Sequence, residues 1–316
     1  MNALFHSRWS DQLAGFVRFK QDLGHPYRRS IATLHSFDHF ATNTPRVKNL
    51  SKVINGWAHR PSHRKAISTS NEMCTLRQFC LFCRRADPAS FVPERMFAPP
   101  STEGPPFLPY IFTIEEIKCL LADTARVQGT SRTRQCFRML ILVLYCTGIR
   151  IGEALSLRSQ DVDLPGRCFR VGPSKGRIRW VPFHSDLGRE LCSWMRLATR
   201  GRMPDSLIFA QDNGSPRSVK AASQTLRFMF RRCGLKPKTG RVGPRCHDLR
   251  HTFAVHRLQR WYQEGRDIHQ MLPWLSAYLG HRNLLGTECY LHATPELLNT
   301  ASRRLRQQLL SDPVSK

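Results

Sequence analysis

Acidic residues are scarce in this 316-residue chain: Asp and Glu total 23 against 49 Lys and Arg, which gives a formal net charge of +26. An excess of this size attracts a polyanion and releases counterions from a phosphate backbone. Basic residues occur in both halves of the chain, so we expect both halves to face a nucleic acid. Charge alone leaves two alternatives, an anionic membrane surface and an acidic protein partner.

Long apolar runs are absent as well, because no stretch reaches the length of about eighteen residues that a membrane-spanning helix needs. The N-terminal segment MNALFHSRWSDQLAGF has no apolar core of the signal-peptide type. Eleven cysteines form an odd set without the spacing of a disulfide framework, which is typical of a reducing compartment. We therefore predict a cytoplasmic protein that does not associate with membranes.

The spacing of apolar residues predicts two domains joined by a linker. Residues 10–85 show four stretches with helical periodicity, so residues 1–90 are predicted to form a helical domain. Residues 91–110 are rich in proline, which disfavours helix and indicates a linker. Residues 111–316 are predicted to form the second domain, with Thr113 capping its first helix ahead of two glutamates.

The second domain is predicted to be mainly α with a small antiparallel sheet. FRMLILVLY at 137–145 is almost wholly apolar and predicts a buried helix that ends near Gly148. Residues 168–183 contain two β-rich runs around a Gly/Pro/Ser turn, which predicts a hairpin. Near the C-terminus a helical stripe of leucines and one alanine predicts a tail helix that packs either on its own domain or on another protomer. The stripe consists of Leu297, Leu298, Ala301, Leu305 and Leu309.

Two basic side chains stand at predicted turns where they can meet a phosphate. Arg150 follows the glycine turn of TGIR, and a fixed guanidinium there can grip a phosphate with two hydrogen bonds. The alternative is an ordinary surface arginine paired with Glu153. Lys175 stands at the tip of the hairpin and can reach a DNA groove or protonate a leaving oxygen. The alternative is a solvated turn lysine, and the nearby Arg177 and Arg179 are competing candidates.

Two histidines, an arginine and a tyrosine in the C-terminal part form the other candidates. His247 and Arg250 are three residues apart and share one helical face, a pair suited to holding a phosphate and moving a proton. The alternative is a buried polar pair at a helix start. His281 follows a glycine and precedes Tyr290 in a helical run, where the tyrosine is either a nucleophile or a packed aromatic.

Taken together, these residues resemble one known family, the tyrosine recombinases, which include the phage integrases and the Xer recombinases. Four segments resemble its hallmark motifs: TGIRIGEALSLRSQDVDL, SKGRIRWVPF, HDLRHTFA and LGHRNLLGTECYLH. FTIEEIKCLL at 112–121 resembles the entry helix of the family's catalytic domain, and the resemblance covers roughly residues 110–300. The N-terminal part is similar to the family's core-binding domain in size, helicity and charge.

The resemblance implies a site-specific recombinase that cuts and rejoins double-stranded DNA through a 3′-phosphotyrosyl link. It implies Tyr290 as the nucleophile, Arg150 and Arg250 as ligands of the phosphate, and Lys175 as the proton donor to the leaving 5′-oxygen. His247 would assist proton transfer, and His281 would bond to the phosphate and position it.

The resemblance further implies a homo-tetramer on two DNA sites. The sequence departs from the larger phage integrases in that no separate arm-site domain is evident before the helical segment, which favours a two-domain recombinase. Integration or excision of a mobile element, or resolution of chromosome dimers, would be its task. Because paired guanidinium groups offset the phosphate charge and a covalent link stores the energy of the broken bond, we expect no metal, nucleotide or other cofactor.

Several weaker patterns could indicate a metal site or another function, but each lacks part of what that function needs. Cys80 and Cys83 have the spacing of half a zinc site but no second pair follows, and His251, His256 and His292 lack a carboxylate partner for a metal. The tryptophans at 180, 194, 261 and 274 are expected in the core. A topoisomerase IB-like or hairpin-resolving enzyme, a non-catalytic DNA-binding relative, and a basic structural protein of a nucleoprotein complex are the alternatives to a recombinase.

Overall fold

The computed structural model describes residues 5–25, 27–60, 66–95, 109–172, 178–200, 203, 205–240, 242–281, 285–288 and 290. The chain divides into two compact units, residues 1–106 and residues 107–316. Most of the predicted linker lies outside the described residues. In the part of the chain that is described, no helix has the length and apolar character needed to cross a membrane.

The first unit contains four helices, which are α1 (Ser10–Asp22), α2 (Arg28–Thr42), α3 (Leu50–Ala58) and α4 (Ala66–Cys83). Their apolar faces meet in one core rich in aromatic side chains, because each helix carries large residues at the spacing of one helical stripe. The fully buried members include Phe16, Phe37, Trp57 and Phe79. The four helices expected from the periodicity of residues 10–85 are therefore confirmed.

The second unit is mainly helical with a three-stranded antiparallel sheet, as predicted. Its helices are α5 (Ile114–Asp123), α6 (Ser131–Thr147), α7 (Ile151–Leu155), α8 (Ser185–Thr199), α9 (Val219–Arg232), α10 (Asp248–Gln263), α11 (Ile268–Leu279) and α12 (Leu285–Glu288). Single turns of 3-10 helix cover Thr124–Arg126 and Ser159–Asp161. The apolar residues of α6 belong to the main core, together with buried residues of α5, α8, α9 and the sheet.

The sheet has the order β1 (Val162–Asp163), β2 (Cys168–Val171) and β3 (Arg179–Pro182). Strands β2 and β3 pair so that Cys168 lies opposite Pro182 and Val171 opposite Arg179, which confirms the hairpin. The turn of the hairpin, residues 173–177, lies outside the described residues, and so does the tail from residue 291 onward. Strand β1 has no counterpart among the predicted elements.

Helix α10 begins directly after His247 and packs on α11 through a second apolar cluster that includes Phe253, Leu258, Leu275 and Tyr290. The prediction that all four tryptophans lie in the core is wrong for two of them. Trp180 is 59% exposed and Trp274 is 73% exposed, whereas Trp194 is buried. Trp180 stands on β3, where the alternation of a strand turns its ring away from the core side of Val181.

Candidate active site

Arg150 is held at the junction of α6 and α7 by a glycine turn. Gly148 closes α6 with a φ of +61°, a conformation that glycine adopts without strain. Arg150 then precedes α7; its guanidinium donates to Glu153 at 2.9 Å and to the Gly280 carbonyl at 3.3 Å. With 30% of its side chain exposed, Arg150 is anchored on one side and open on the other.

Glu153 is the carboxylate around which the arginines of the site are arranged. Only 2% of its side chain is exposed, and it accepts hydrogen bonds from Arg150 and from Arg179 of β3. Sequence reasoning took an Arg150–Glu153 pair as the mark of an ordinary surface arginine. The Arg150–Glu153 ion pair is present, but its carboxylate is buried, so the pair is not an ordinary surface contact. Arg179 also donates to the Tyr278 carbonyl at 3.0 Å. These contacts give Arg179, which the sequence offered as an alternative to Lys175, a structural role.

Arg250 is a buried cation in the first turn of α10. Its guanidinium donates to the Gly148 carbonyl at 2.8 Å and to the Leu279 carbonyl at 2.5 Å, so it ties α10 to the turns before α7 and after α11. Its Nε atom is buried and has no hydrogen-bond partner among the described residues. Burial, followed by the charge of Arg150, lowers the pKa of Arg250 to about 10. A cation this poorly solvated is attractive to an anion.

His247 and His251 lie edge to face at the start of α10, with ring centroids 4.7 Å apart. Burial is the largest cause that lowers the pKa of each imidazole to about 4, and nearby arginine charges add to it. Both rings are therefore neutral at pH 7. Sequence reasoning considered His251 only as a metal ligand; within the described ranges, no group of side chains has the composition of a metal site.

His281 is presented by the turn that ends α11. Gly280 has a φ of +67°, and the His281 amide then donates to the Ser276 carbonyl at 3.0 Å. The imidazole Nδ1 lies 2.7 Å from the hydroxyl of Thr287, which is fully buried. Burial and the charges of Arg250 and Arg150 lower the pKa of His281 to about 4. The sequence offered no signal for Thr287, since it differs in no way from other helix threonines.

Tyr290 is buried with its hydroxyl directed at a histidine. It is 1% exposed within the apolar cluster of α10 and α11. Its hydroxyl oxygen lies 3.0 Å from Nδ1 of His251, and its ring centroid lies 6.2 Å from that of His281. One partner of the tyrosine hydroxyl is therefore a residue, His251, that the sequence predictions had not assigned to the site.

Five of the six predicted site residues come together, namely Arg150, His247, Arg250, His281 and Tyr290. The sixth, Lys175, lies outside the described residues. A cleft of about 530 Å³ opens beside His247 and is lined by basic side chains of α9 and the loop after it, including Arg227, Lys236 and Arg245. A buried hydroxyl, neutral imidazoles and two guanidinium groups beside a basic cleft are suited to an anionic substrate.

Comparison with known proteins places the chain in a family. The sequence model of the phage integrase family matches residues 111–296. The protein named integrase/recombinase y4rB of Sinorhizobium fredii is 29% identical over 305 residues, which cover 93% of this chain and 95% of that protein. Tyrosine recombinase XerC of Staphylococcus saprophyticus is 28% identical and is aligned over 74% of this chain and 73% of its own.

Among solved structures, the Tn1549 transposon integrase in complex with transposon right end DNA has a similar fold. The TM-score is 0.64 at 18% identity, with 93% of this chain and 98% of that chain covered. Because the family model spans more than half of the sequence, the chain belongs to the phage integrase family of tyrosine recombinases.

Proposed function

We propose that this protein is a site-specific DNA recombinase that cleaves and rejoins DNA strands through a 3′-phosphotyrosyl link at Tyr290. The observation that carries the proposal is the contact of the Tyr290 hydroxyl with His251, inside a cluster that holds two arginines. A phenol attacks a phosphodiester only when its proton has somewhere to go and the phosphate charge is offset. The cluster offers both within one small volume.

Arg150 and Arg250 are the proposed phosphate ligands. The partly exposed guanidinium of Arg150 can meet a DNA strand at the surface, whereas the buried Nε of Arg250 is a donor that an entering phosphate oxygen would satisfy. Charge-assisted hydrogen bonds of this kind strengthen as negative charge builds up on the phosphate oxygens in the transition state. Glu153 holds the guanidinium of Arg150 in place together with that of Arg179, whereas Arg250 is held by the carbonyls of Gly148 and Leu279.

The proposed roles of the other residues follow their surroundings. His281, oriented by Thr287, bonds to the phosphate, and the neutral ring of His247 beside it takes part in proton transfer. Lys175 is the proposed proton donor to the leaving 5′-oxygen, and this role rests on the resemblance of SKGRIRWVPF to the family motif.

The proposed partner is double-stranded DNA. Support comes from the net charge of +26, from the basic cleft beside His247, and from the Tn1549 integrase, whose structure contains DNA. Residues 1–90 are proposed as the core-binding domain, residues 91–110 as the linker, and residues 111–316 as the catalytic domain with its tail. We further propose a homo-tetramer on paired DNA sites, in the cytoplasm, acting without a metal or other cofactor.

Integration or excision of a mobile element is the task that we propose. The integrase/recombinase y4rB is aligned over nearly the whole of both chains, and the Tn1549 protein is a transposon integrase. The XerC relatives favour the second candidate, resolution of chromosome dimers, although XerC of S. saprophyticus is aligned over a smaller share of this chain than y4rB. Recovery of the target site separates the two, since its place in a genome is either a mobile-element end or a chromosomal locus.

A covalent selection tests the function and recovers the target site in the same experiment. The protein is incubated with a library of nicked duplexes that carry a randomised core, and protein–DNA adducts that survive denaturant are isolated, sequenced and used for a second round. We expect the recovered duplexes to converge on one site and Tyr290→Phe to form no adduct while it still binds the selected DNA.

The competing functions give other results. An adduct that persists in Tyr290→Phe contradicts the assignment of the nucleophile, and a wild-type chain that binds DNA without any adduct is a non-catalytic relative or a structural protein. A topoisomerase-like enzyme relaxes supercoiled plasmid without joining two selected sites.

A further inference from the structure

The Tyr290 hydroxyl contacts a histidine, His251, whose chemical role in strand cleavage has not yet been specified. His251 follows Arg250 directly in α10, and its Nδ1 lies 3.0 Å from the Tyr290 hydroxyl oxygen. The two rings are 5.4 Å apart and inclined by 60°, so the contact is made by the polar atoms and not by stacking. Tyr290 is 1% exposed and the His251 side chain 12% exposed, which keeps bulk water from competing for the hydroxyl proton.

The neighbours of His251 favour one arrangement of its ring proton. The Nε2 atom lies 3.9 Å from Oδ1 of Asp248, whose side chain is 2% exposed. At 3.9 Å this is an electrostatic contact and not a hydrogen bond. The negative charge of Asp248 favours the tautomer with its hydrogen on Nε2, in which the lone pair of Nδ1 faces the tyrosine. Because burial and the charges of Arg245 and Arg250 lower the pKa of His251 to about 4, the ring is neutral at pH 7, so one of its two nitrogens carries a free lone pair.

We infer that His251 is a catalytic residue, the general base that removes the proton from the Tyr290 hydroxyl during strand cleavage. This inference rests on the proposed function, in which Tyr290 is the nucleophile. The hydroxyl proton moves to Nδ1 and the electron pair of the O–H bond stays on the tyrosine oxygen. As that oxygen forms its bond to phosphorus, the P–O5′ bond breaks, and the 5′-oxygen takes a proton from the general acid, the role proposed for Lys175.

Asp248 completes the arrangement from the side opposite to the tyrosine. When His251 gains the proton it becomes an imidazolium, and the nearby buried carboxylate offsets its charge. On rejoining, the 5′-hydroxyl returns its proton to the group that supplied it, the role proposed for Lys175, and its oxygen forms the bond to phosphorus. The bond from phosphorus to the tyrosine oxygen breaks, and that oxygen takes the proton back from Nδ1. The same pair of residues therefore serves both directions of the reaction, with no net gain or loss of protons at His251.

The first test compares substitutions at position 251 on the duplex recovered in the covalent selection, in single-turnover cleavage. Asparagine is the sharpest variant, because its side-chain oxygen stands near the place of Nδ1 and accepts the hydrogen bond but not the proton. We expect His251→Asn to slow cleavage by at least about 100-fold, the lower end of what a positioned general base contributes. DNA affinity and the melting temperature should stay at wild-type values.

A matched control lies on the same helix. His256 is also partly buried, and its Nδ1 lies 3.3 Å from the hydroxyl of Tyr145, so His256→Asn alters a second histidine–tyrosine pair outside the proposed site. Cleavage by His256→Asn should match the wild type. If His251→Asn lowered the cleavage rate by less than about threefold, the decrease would be far smaller than the contribution of a general base, and the inference would be overturned.

A chemically modified DNA substrate distinguishes a general base that acts on Tyr290 from a general acid that acts on the leaving group. Sulfur in place of the bridging 5′-oxygen leaves without protonation, so it removes the need for a general acid and leaves the need for a base unchanged. We expect the defect of His251→Asn to persist on this substrate. Recovery to the wild-type rate would mean that His251 acts on the leaving group, and the inference would be wrong.

A measurement on the unaltered protein keeps the inference testable if asparagine at 251 disturbs folding. Nitrogen-15 NMR of the histidine rings distinguishes a protonated Nδ1 from a bare one, and the His251 signal is identified by its shift in Tyr290→Phe. We expect a bare Nδ1 and a protonated Nε2; the opposite tautomer would make His251 a donor and exclude it as the base. Failure of the proposed function has a different signature, since the wild type would then form no adduct at Tyr290.

Discussion

The guanidinium of Arg179 donates two hydrogen bonds to the carboxylate of Glu153, at 2.7 and 3.1 Å, and joins β3 to the first turn of α7. Arg150 binds the same carboxylate, so one buried negative charge holds two positive ones. Arg250 lies close enough for the charges of both arginines to lower its pKa. The carboxylate therefore permits three guanidinium groups to gather where a phosphate is expected.

Glu153→Gln should destabilise the second unit, because it keeps the shape of the side chain and removes the charge that offsets Arg150 and Arg179. Loss of one partner of a buried ion pair costs about 3 to 5 kcal/mol. We expect a loss of that order in the free energy of unfolding, measured by urea denaturation. Sulfate should restore more stability to Glu153→Gln than to the wild type, since the uncompensated cations bind an anion.

The control for this substitution is an exposed pair in the same unit. Arg138 and Glu190 are 2.7 Å apart, but roughly half of the Glu190 side chain is exposed (49%). Surface pairs of this type contribute about 0 to 1 kcal/mol. Glu190→Gln should therefore leave unfolding and its sulfate dependence nearly unchanged, and equal losses in the two variants would contradict the central position given to Glu153.

Thr287→Val should slow strand cleavage without weakening DNA binding. Valine fills the same buried volume but lacks the hydroxyl that lies 2.7 Å from Nδ1 of His281. If the imidazole loses this orientation, one hydrogen bond worth about 1 to 1.5 kcal/mol is lost in the transition state, which corresponds to roughly a tenfold lower rate. Single-turnover cleavage measures the effect.

Thr287→Ser serves as the comparison, because serine retains the hydroxyl and loses only a methyl group. Its cleavage rate should lie well above that of Thr287→Val. If Thr287→Ser were as slow as Thr287→Val, the site would be sensitive to the loss of the methyl group as well, and the hydrogen bond to His281 would not by itself account for the slow cleavage.

How far the sequence predicts this site depends on the range of each interaction. The turn at Gly148 and the pairing of β2 with β3 follow from local patterns, and both were predicted. The contact between His251 and Tyr290 spans 39 residues, and nothing in HDLRHTFA distinguishes His251 from a surface histidine. Burial of Glu153 likewise depends on Arg179, 26 residues away. Such contacts depend on how helices and strands that are distant in sequence pack together, which periodicity does not reveal.

Strand β1 was missed for a related reason. Val162 and Asp163 are too few to show the alternation that marks a strand, and they become one only by pairing with Phe169 and Cys168 of β2. The exposed Trp180 and Trp274 were misplaced because large aromatic residues are usually buried. In both cases the environment of the residue depends on which other residues lie close to it in the folded chain, and the local sequence does not show this.

The stability of the second unit should fall as the pH falls from about 6.5 to about 4. In the folded chain the pKa values of His247, His251 and His281 are lowered to about 4, whereas unfolded histidines titrate near 6.5. Between these values the unfolded state binds more protons, so each step down in pH favours unfolding. The melting temperature should reach a plateau above pH 6.5 and decline below it.

Substitution of the buried histidines tests the origin of that decline. Between pH 6.5 and 5 most carboxyl groups remain ionised, so the slope in this window reports mainly on histidine. His247→Asn and His281→Asn should each make the slope shallower. An unchanged slope in both site variants would contradict the lowered pKa values.

Gly148→Ala should damage stability and cleavage together. At a φ of +61° an alanine side chain is strained by about 1 to 2 kcal/mol, and its Cβ would stand 2.6 Å from the ring of Phe253, which adds an overpacking cost of about 1 to 3 kcal/mol. The carbonyl of Gly148 also accepts a hydrogen bond from Arg250, so any shift of the turn moves a proposed phosphate ligand.

Gly214→Ala isolates the backbone strain from the clash. Gly214 has a φ of +86°, and its added Cβ would meet nothing within 4 Å, so only the strain of about 1 to 2 kcal/mol is expected. Urea denaturation should place Gly148→Ala clearly below Gly214→Ala in stability, and only Gly148→Ala should lose cleavage. If the two variants were equally stable and equally active, the close approach of Phe253 to the Gly148 turn would have no part in holding Arg150 and Arg250 in place.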